Sequence, residues 1–334
     1  MLSGKSVLIT GGTGSFGQAF VERVLKEYPD VHRLIVFSRD ELKQHEMQQV
    51  FPVHQYPCMR YFIGDTRDLQ RLQLALRSVD VVVHAAALKQ VPAAEYNPME
   101  CVKTNVIGGQ NVIDACLANG VKSVIALSTD KAASPINLYG ATKLVSDKLF
   151  VSANQLAGDR DIRFSVVRYG NVAGSRGSVI PFFRKVVQDN LPELPITDER
   201  MTRFSITLQE GVDFVMRSLQ RMQGGETFVP KIPSFRVMDL ARIMAPDRKL
   251  KFVGIRPGEK LHEIMIPRDC SHECIEFEDH YVMKPSIHWA RRGEFSTNRL
   301  GEVGRPVESD FEYSSQSNER FLSDAELADL VQRV

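Results

Sequence analysis

The sequence predicts a doubly wound α/β fold built on a parallel sheet, with a smaller C-terminal lobe. Six short apolar runs rich in β-branched residues recur in the first half of the chain, at residues 7–9, 34–37, 61–63, 81–83, 124–127 and 164–167. Runs of this kind are typical of strands buried on both faces, as in a parallel sheet. Segments with helical spacing separate them, and one such apolar stripe comprises Phe16, Phe20, Val21, Val24 and Leu25. Strands that alternate with helices indicate a doubly wound sheet.

The alternation stops after the last of these runs. Beyond it the pattern predicts helices at residues 179–189 and 208–222, and Pro-rich loops at residues 191–195 and 230–233. A chain of 334 residues is long for one core, so we divide it into residues 1–170 and a smaller lobe, residues 171–334, parts of which return to the first domain. The tail is predicted to be a loop followed by a short helix, with Ser323 as its N-cap and Glu326 at the third helical position.

Charge and hydropathy exclude several classes of partner. Lys and Arg (42) nearly balance Asp and Glu (41), which argues against a broad basic surface for nucleic acid or anionic membrane. No apolar stretch approaches the roughly 18 residues that a membrane span needs. Residues 1–5 precede only a short apolar run that ends at Thr10, so no signal peptide is predicted. We therefore expect neither a nucleic acid nor a membrane as partner.

The cysteines indicate a reducing compartment. There are five, an odd number, and they are scattered without the spacing of a disulfide framework, so we expect free thiols and a cytoplasmic protein. Cys270 and Cys274 bracket His272, but three ligands do not complete the four of a structural zinc site. We expect no metal, and we interpret this segment as a surface loop.

A glycine-rich loop follows the first predicted strand and opens the first predicted helix. Glycines at this junction permit a tight turn and let backbone N–H groups approach a pyrophosphate at the helix N-terminus. The pattern between a strand and an amphipathic helix is the context that a dinucleotide site requires, whereas a lone glycine pattern could be a structural turn. The predicted cofactor loop comprises Gly11, Thr13, Gly14, Ser15, Phe16 and Gly17.

The end of the second strand predicts the choice of dinucleotide. An NAD site usually places an acidic residue there to bind the ribose 2′-hydroxyl. Here Ser38 and Arg39 come first, followed by Asp40 and Lys43. A guanidinium suits a 2′-phosphate better than a hydroxyl, so the sequence favours NADP, the alternative being that Arg39 is a solvated loop charge.

Later strand ends add further candidates for cofactor binding. Asp65 follows the third strand and is placed to hydrogen-bond the adenine amino group, with Thr66 beside it. Residues 85–87, three alanines after the fourth strand, leave room for the cofactor, so Ala87 is included in the site. Lys89 follows at the carboxyl end of a parallel strand, where ligands of such sheets bind.

A Tyr and a Lys four residues apart follow the fifth strand, which ends in Ser128–Thr129–Asp130–Lys131. Tyr139 and Lys143 share one helix face, so the ammonium is expected to lower the pKa of the phenol. A tyrosine tuned in this way can exchange a proton with a substrate alcohol while hydride moves to a nicotinamide. The pair lies at the start of the helix that follows this strand, and this position makes the motif specific evidence for such a site.

These motifs resemble the extended short-chain dehydrogenase/reductase superfamily, which implies a Rossmann fold. Within it, the ordered set of motifs is similar to the family of configuration-inverting UDP-N-acetylglucosamine 4,6-dehydratases of pseudaminic acid synthesis. The resemblance covers essentially the whole chain and is carried by residues 11–17, 38–43, 88–92, 128–132, 139–143, 168–172, 201–204, 256–260 and 311–313.

The resemblance implies a set of catalytic roles. Ordinary sugar-nucleotide 4,6-dehydratases carry Asp-Glu where this chain has Asp130 and Lys131, and the lysine matches the inverting branch. A buried lysine can be neutral often enough to act as base, so Lys131 is expected to remove the C5 proton and Asp130 to protonate the departing C6 hydroxyl. Tyr139, with Thr129 and Lys143, would serve the C4 hydroxyl. The alternative is that Lys131 only forms an ion pair with Asp130 and keeps it ionised.

The resemblance also implies the ligands and partners. UDP-N-acetylglucosamine would be the substrate, and arginines suit its diphosphate because they bind it bidentately. Carried over by motif, the substrate-binding residues are Lys89, Asn171, Arg176, Arg203, Arg256 and Glu259, and Val172 joins the NADP site. The superfamily implies a homo-oligomer, a dimer or hexamer, and the family implies a place in flagellin glycosylation.

Two other functions remain open at this point. A nucleotide-sugar 4-epimerase or C4 reductase on the same scaffold would need only Thr129, Tyr139 and Lys143, leaving Asp130 and Lys131 without a role. A non-catalytic NADP-sensing protein of this fold could dispense with the Tyr and the Lys, which are both present here.

Overall fold

The computed structural model describes residues 1–175, 177–286 and 294–334. Its helices are α1 (Ser15–Glu27), α2 (Glu41–Val50), α3 (Leu69–Ala75), α4 (Val91–Tyr96), α5 (Pro98–Val102), α6 (Gly108–Asn119), α7 (Leu138–Leu156), α8 (Val179–Gln188), α9 (Leu208–Arg221), α10 (Val237–Met244) and α11 (Asp324–Arg333). Its strands are β1 (Ser6–Thr10), β2 (Arg33–Ser38), β3 (Met59–Ile63), β4 (Val81–His84), β5 (Ser123–Thr129), β6 (Arg163–Tyr169), β7 (Asn171–Val172), β8 (Glu193–Ile196), β9 (Thr202–Ile206), β10 (Thr227–Pro230), β11 (Ser234–Arg236), β12 (Lys249–Phe252), β13 (Ile264–Ile266), β14 (Cys274–Glu276), β15 (His280–Met283), β16 (Arg305–Pro306) and β17 (Tyr313–Ser314). Short 3₁₀ turns span Asp130–Ala132 and Arg268–Glu273, and a π-helical turn spans Lys103–Ile107.

The central sheet is the doubly wound parallel sheet that the sequence predicts. Its order is β3-β2-β1-β4-β5-β6-β10-β15-β14-β16. Strands β3 to β10 pair in parallel, and β15, β14 and β16 then add antiparallel pairs at one edge. Each of the six predicted apolar runs lies inside one of the strands β1 to β6, so the predicted fold class is confirmed.

Both faces of this sheet are covered by helices, which explains why its strands read as continuous apolar runs. Alternate residues of β1 point to opposite faces of the sheet. Val7 and Ile9 pack in one core with Phe20 and Val24 of α1, and α9 packs against α1 on this face. Leu8 points to the opposite face, in a second core built with α3, α6 and α7. The sheet therefore holds the carboxyl ends of its parallel strands at one rigid edge.

The smaller lobe has a core of its own, in which α8, α10 and α11 pack around β8. The predicted loop at residues 191–195 is wrong, because Glu193–Ile196 forms β8 and pairs in parallel with β12. Leu194 and Ile196 are buried there. Pro195 lies between them in a sheet of only two strands, where each strand is an edge strand and a missing N–H is tolerated. Helices α8 and α9 confirm the two helices predicted in this half of the chain.

The tail confirms its predicted helix and adds a strand. Ser323 caps α11 by accepting from the backbone N–H of Glu326, whose carboxylate accepts from the N–H of Ser323 in return. The short strand β17 pairs with β13 ahead of this helix. None of the helices in the described part of the chain is long and apolar enough to cross a membrane. The domain boundary at residue 170 stays a prediction, although β10, β14, β15 and β16 all join the central sheet.

Candidate active site

The loop between β1 and α1 has the geometry of a phosphate cradle. Gly11 has φ +65°, and a Cβ on it would lie 2.9 Å from the backbone nitrogen of Ala86. A Cβ on Gly17 would overlap the carbonyl of Gly12, so α1 can approach the loop only with glycine there. Gly14 caps α1 without a side-chain hydrogen bond, and the first turn carries no acidic residue. The backbone N–H groups at this helix start are therefore available to an anion, which fits the pyrophosphate of a dinucleotide.

The carboxyl end of β2 carries the groups predicted to read the ribose. Ser38 bonds Thr13 between their hydroxyls at 2.9 Å, which ties this strand end to the glycine loop. Arg39 is 56% exposed and lies 3.8 Å from the Asp65 carboxylate, too far for a hydrogen bond, so its guanidinium is available to a phosphate. Lys43 instead pairs with Asp40 at 3.0 Å, and Asp40 also caps α2.

Asp65 and Thr66 lie where β3 ends. Asp65 accepts from the backbone N–H of Arg67 at 3.0 Å and from its guanidinium at 2.7 Å. Burial raises the pKa of Asp65, but these bonds and the Arg67 charge lower it below its ordinary value. The carboxylate therefore stays an acceptor, which suits the amino group of an adenine. Thr66 is buried, and its carbonyl accepts from Asn111 in α6.

Two residues that the sequence reasoning missed fix the segment after β4. The Thr10 hydroxyl bonds Nδ1 of His84 at 2.8 Å and accepts from the backbone N–H groups of Ala85 and Ala86. Asn105, in the π-helical turn, holds Leu88 through both its backbone N–H (2.8 Å) and its carbonyl (2.9 Å). These bonds set the path of the chain through Ala87 to the exposed Lys89. No local pattern marks such partners, because each is distant in sequence from the segment that it holds.

The turn after β5 and the start of α7 bring the predicted catalytic residues together. Thr129, Asp130 and Lys131 lie on β5 and its following 3₁₀ turn. A Cβ on Gly140 would overlap the carbonyl of Lys131, so glycine at this position lets α7 pack directly on the turn. Asn137 caps α7 by accepting from Gly140 at 2.8 Å and donates to the carbonyl of Gly258, which links the turn to the loop of residues 256–260.

Tyr139 and Lys143 are both buried on the inner face of α7. Burial raises the pKa of Tyr139 to about 12, against the opposing effects of the Lys131 charge and of a hydrogen bond with Thr129. Burial also lowers the pKa of Lys143, against the charge of Asp147, and its ammonium donates to the carbonyl of Leu127 at 2.6 Å. The net lowering of the phenol pKa predicted from the sequence is therefore not found in the chain by itself, and the cation that acts most on Tyr139 is Lys131.

Lys131 lies among acceptors from three parts of the chain. Its amine is 3.1 Å from Oδ1 of Asp130, 3.4 Å from Oδ1 of Asn171 and 3.5 Å from Oε1 of Glu263. Burial lowers the pKa of Lys131, but the carboxylates of Asp130 and Glu263 together raise it well above its ordinary value. In the chain without ligands both carboxylates favour the ammonium, and the second of them, Glu263, was not predicted from the sequence.

Asp130 is the most deeply placed acid of the site. It is fully buried, and its Oδ1 accepts from the Thr129 hydroxyl at 2.9 Å as well as from Lys131. Its Oδ2 has no hydrogen-bond partner among the described residues. A buried acceptor of this kind is costly unless a ligand or water pairs with it.

The predicted substrate residues differ in how far they are buried and in how many partners hold them. Arg203 is nearly buried, and its guanidinium donates to the carbonyls of Thr202 and Leu261 while its Nε lies 3.7 Å from Glu263. Arg256 is 56% exposed, 3.7 Å from Glu259 and 5.8 Å from the Phe182 ring. Glu259 has a buried Oε2 without a described partner.

Three further predictions concern the neighbouring segments. Asn171 and Val172 form β7 beside the turn that carries Lys131. Arg176 lies outside the described residues. The segment predicted as a surface loop is a 3₁₀ turn that carries Cys270 and His272, and it leads to Cys274, which is buried at the start of β14.

The arrangement has the chemistry of a proton-transfer site beside a dinucleotide site. A phenol, a carboxylate and an amine meet at the carboxyl ends of parallel strands, next to the point where the strand order reverses between β1 and β4. Such groups can exchange protons with hydroxyl and C–H groups of one bound molecule. The glycine loop follows β1, which β4 separates from β5, so it lies at the same end of the sheet as these groups.

Comparisons with known proteins agree with this description. The family described as polysaccharide biosynthesis protein matches residues 7–285. A protein of Campylobacter jejuni named UDP-N-acetylglucosamine 4,6-dehydratase (inverting) is 58% identical over 332 residues, which is 99% of this chain and 98% of the relative. A protein of Rickettsia akari named UDP-glucose 4-epimerase is 42% identical over 272 residues, 80% of this chain and 79% of the relative.

Solved structures show the same likeness. The structure of Pen from Bacillus thuringiensis superposes with a TM-score of 0.88 at 36% identity, covering 100% of this chain and 98% of that one. DesIV, a dTDP-glucose 4,6-dehydratase from Streptomyces venezuelae solved with NAD bound, gives a TM-score of 0.67 at 25% identity over 77% of this chain and 86% of that one. The resemblance predicted from the motifs is confirmed, and the chain belongs to the polysaccharide biosynthesis protein family, on the extended short-chain dehydrogenase/reductase fold.

Proposed function

We propose that the chain is an NADP-dependent, C5-inverting 4,6-dehydratase of UDP-N-acetylglucosamine. The observation that carries the proposal is the Asp130–Lys131 contact of 3.1 Å at the end of β5, beside Tyr139. An oxidoreductase of this fold needs only Thr129, Tyr139 and Lys143, whereas elimination of water needs an additional base and acid. The 58% identity to the inverting dehydratase of Campylobacter jejuni supports the same activity.

The bound dinucleotide would supply a hydride acceptor at C4 and return that hydride to C6. The glycine loop would hold its pyrophosphate, Asp65 its adenine and Arg39 its 2′-phosphate. Lys143 and Tyr139 would face its nicotinamide ribose. The absence of an acidic residue directly at the end of β2, together with the exposed guanidinium of Arg39, supports NADP over NAD.

Tyr139 would take the proton of the C4 hydroxyl. Its hydrogen bond with Thr129 and the nearby Lys131 charge both favour the phenolate that this step needs, against the cost of burial. The substrate diphosphate would be held by Arg176, Arg203 and Arg256, and Glu259 would accept from the uridine ribose. Lys89 and Asn171 complete the proposed substrate set.

Elimination needs Lys131 as a free amine and Asp130 as an acid, and one proton transfer produces both. At rest the pair is an ammonium and a carboxylate, with 3.1 Å between Nζ and Oδ1. Moving the proton from Lys131 to Asp130 leaves both groups uncharged, against the raised pKa of Lys131, so the bound cofactor and substrate would have to favour this step. The amine then removes the C5 proton, and Asp130 protonates the departing C6 hydroxyl. Tyr139 would then help to return a proton to C5 from the other face.

A second candidate, a 4-epimerase, is favoured by the 42% identity to the Rickettsia akari protein. It would use Tyr139, Thr129 and Lys143 and would leave the Asp130–Lys131 pair without a chemical role.

We further propose that the protein acts in the cytoplasm, in pseudaminic acid synthesis, as a homo-oligomer. Exposed apolar side chains on and beside α4 to α7 support an interface there: Tyr96, Met99, Ile107 and Val145.

Incubation with UDP-N-acetylglucosamine and NADP, followed by proton NMR, tests the proposal. A 4,6-dehydratase yields a new 6-methyl doublet, an epimerase a new anomeric pattern, and a non-catalytic protein no change. Because the hydride taken from C4 returns to C6, NADPH should not accumulate during turnover. Accumulation of NADPH in proportion to product would contradict the internal redox cycle, and an anomeric change without a methyl doublet would favour the epimerase.

A further inference from the structure

Glu263 is a buried carboxylate in the site to which neither the sequence motifs nor the proposed mechanism assign a role. It lies just before β13, and its side chain is 4% exposed. Its Oε1 is 3.5 Å from the Lys131 amine and 3.7 Å from Nε of Arg203. Its Oε2 is buried and has no hydrogen-bond partner in the described part of the chain.

The backbone of Glu263 is fixed by the C-terminal segment. Its N–H donates to the Ser315 hydroxyl at 2.9 Å, and its carbonyl accepts from the Ser315 N–H at 2.8 Å. The Ser315 hydroxyl in turn bonds that of Thr202, at the start of β9, at 2.7 Å. These bonds fix the backbone from which the Glu263 side chain reaches toward Lys131.

The charges around Lys131 change during the proposed reaction. At rest, Asp130 and Glu263 both face the ammonium, and Arg203 and Lys260 lie close enough to act on the same cluster. Lys260 donates to the carbonyl of Ala133 at 2.6 Å, so it is held away from a direct ion pair. Once Asp130 carries the proton it will give to the leaving hydroxyl, Glu263 is the remaining carboxylate in contact with Lys131.

We propose that Glu263 is a positioning residue of the dehydration, which aims the Lys131 amine and supplies the counter-charge for the ammonium that forms when the C5 proton is taken. The inference rests on the proposed function. An anion 3.5 Å from a nascent cation in a buried site stabilises that cation strongly. Glu263 thereby makes Lys131 a stronger base at the moment when Asp130 is neutral. In this role it acts through Lys131.

The substitution Glu263→Gln removes the charge and keeps the shape. We expect C4 oxidation to continue while C5 proton removal slows by about tenfold or more, within the range of general base effects. Reduced nicotinamide should then build up in a single turnover, seen by its near-ultraviolet absorbance, and uptake of solvent deuterium at C5 should slow. Glu263→Asp keeps the charge but withdraws it by one methylene, so its C5 exchange should lie between those of the wild type and the Gln variant.

A second readout needs no turnover. In the cofactor-free protein, NMR titration of isotopically methylated lysines should show Lys131 becoming neutral at lower pH in Glu263→Gln than in the wild type. The matched control is Glu276→Gln, which breaks a 2.8 Å pair with Lys231 outside the site and should leave both readouts unchanged.

The outcomes separate the two proposals. If the wild type forms no 6-methyl product, the proposed function fails. If the wild type is active and Glu263→Gln slows C4 oxidation and C5 exchange equally, or leaves the Lys131 titration unmoved, Glu263 is only structural and the inference is overturned. Should the Gln variant not fold, Glu263→Asp decides the matter, because C5 exchange as fast as in the wild type would equally overturn it.

Discussion

Replacing Lys131 tests the centre of the proposed mechanism. Lys131→Met keeps the apolar stem of the side chain but cannot take a proton. General base catalysis is typically worth about 10²–10⁴-fold, so product formation should fall by at least about 10²-fold. Substrate affinity should change little, because the residues proposed to hold the diphosphate are arginines.

The structure adds a stability cost to this variant. The ammonium contacts two carboxylates, at 3.1 Å and 3.5 Å, and both acids are almost completely buried. Removing one partner from a buried ion pair typically costs about 3–5 kcal/mol, and the 26% exposure of the Lys131 side chain places this case at or below the lower end. Lys131→Arg is the matched control, since arginine keeps the positive charge beside Asp130 and Glu263 but does not act as a base at neutral pH.

The assay combines thermal denaturation with proton NMR of the product in deuterated buffer. We expect Lys131→Met to lose both stability and product, and Lys131→Arg to keep stability but lose product. Inversion by way of a C5 carbanion must also place solvent deuterium at C5 in the wild type. If Lys131→Arg retained substantial turnover with inversion at C5, the lysine would serve only to keep Asp130 ionised, and the proposed base would be wrong.

Two further predictions concern the cofactor site and the sheet beneath it. Arg39→Ala should weaken NADP binding by about 1.5–3 kcal/mol, the worth of a charge-assisted phosphate contact, and NAD binding much less. Calorimetry in which both affinities fell equally would show that Arg39 does not contact the 2′-phosphate. Burial, aided by the Lys143 charge, lowers the pKa of His84 from 6.5 to about 3, so the unfolded chain binds a proton that the folded chain does not. His84 therefore contributes stability that is fully present above pH 6.5 and is lost as pH falls toward 3, by about 2 kcal/mol between pH 6.5 and about 5. The slope of unfolding free energy against pH in this range should be shallower in His84→Asn, and an unchanged slope would mean that another group takes up the proton.

The parts of the molecule that the sequence predicted are those encoded by short-range patterns. The six parallel strands, α1 and the capping box of α11 each follow from apolar periodicity or from residues three or four positions apart. Strand β8 was not predicted because Pro192 and Pro195 are typical of loops, while burial of Leu194 and Ile196 against the lobe core outweighs that preference. Local propensity is a weak guide where tertiary packing decides.

The site divides in the same way. The glycine loop and the Tyr139–Lys143 pair are local motifs, and the structure brings them to the same end of the sheet. Glu263 approaches Lys131 only because β13 and the C-terminal segment fold back across the site, and no spacing in the sequence encodes that contact. The surroundings of Lys131 could not be predicted in full for this reason, since they include a charge contributed from a distant part of the chain.

The position of β10 in the central sheet has a consequence for biosynthesis. Strand β6 ends at Tyr169, but its parallel neighbour β10 begins only at Thr227. At a synthesis rate of about 5–20 residues per second, the nascent sheet waits roughly 3–12 s with an apolar, unpaired edge before the next strand leaves the ribosome. An open edge of this kind is a template for pairing with other chains. The interval after β6 is therefore when this protein most needs a chaperone, and substitutions that slow the closing of β10 onto β6 should lower its yield in cells before they alter the finished enzyme.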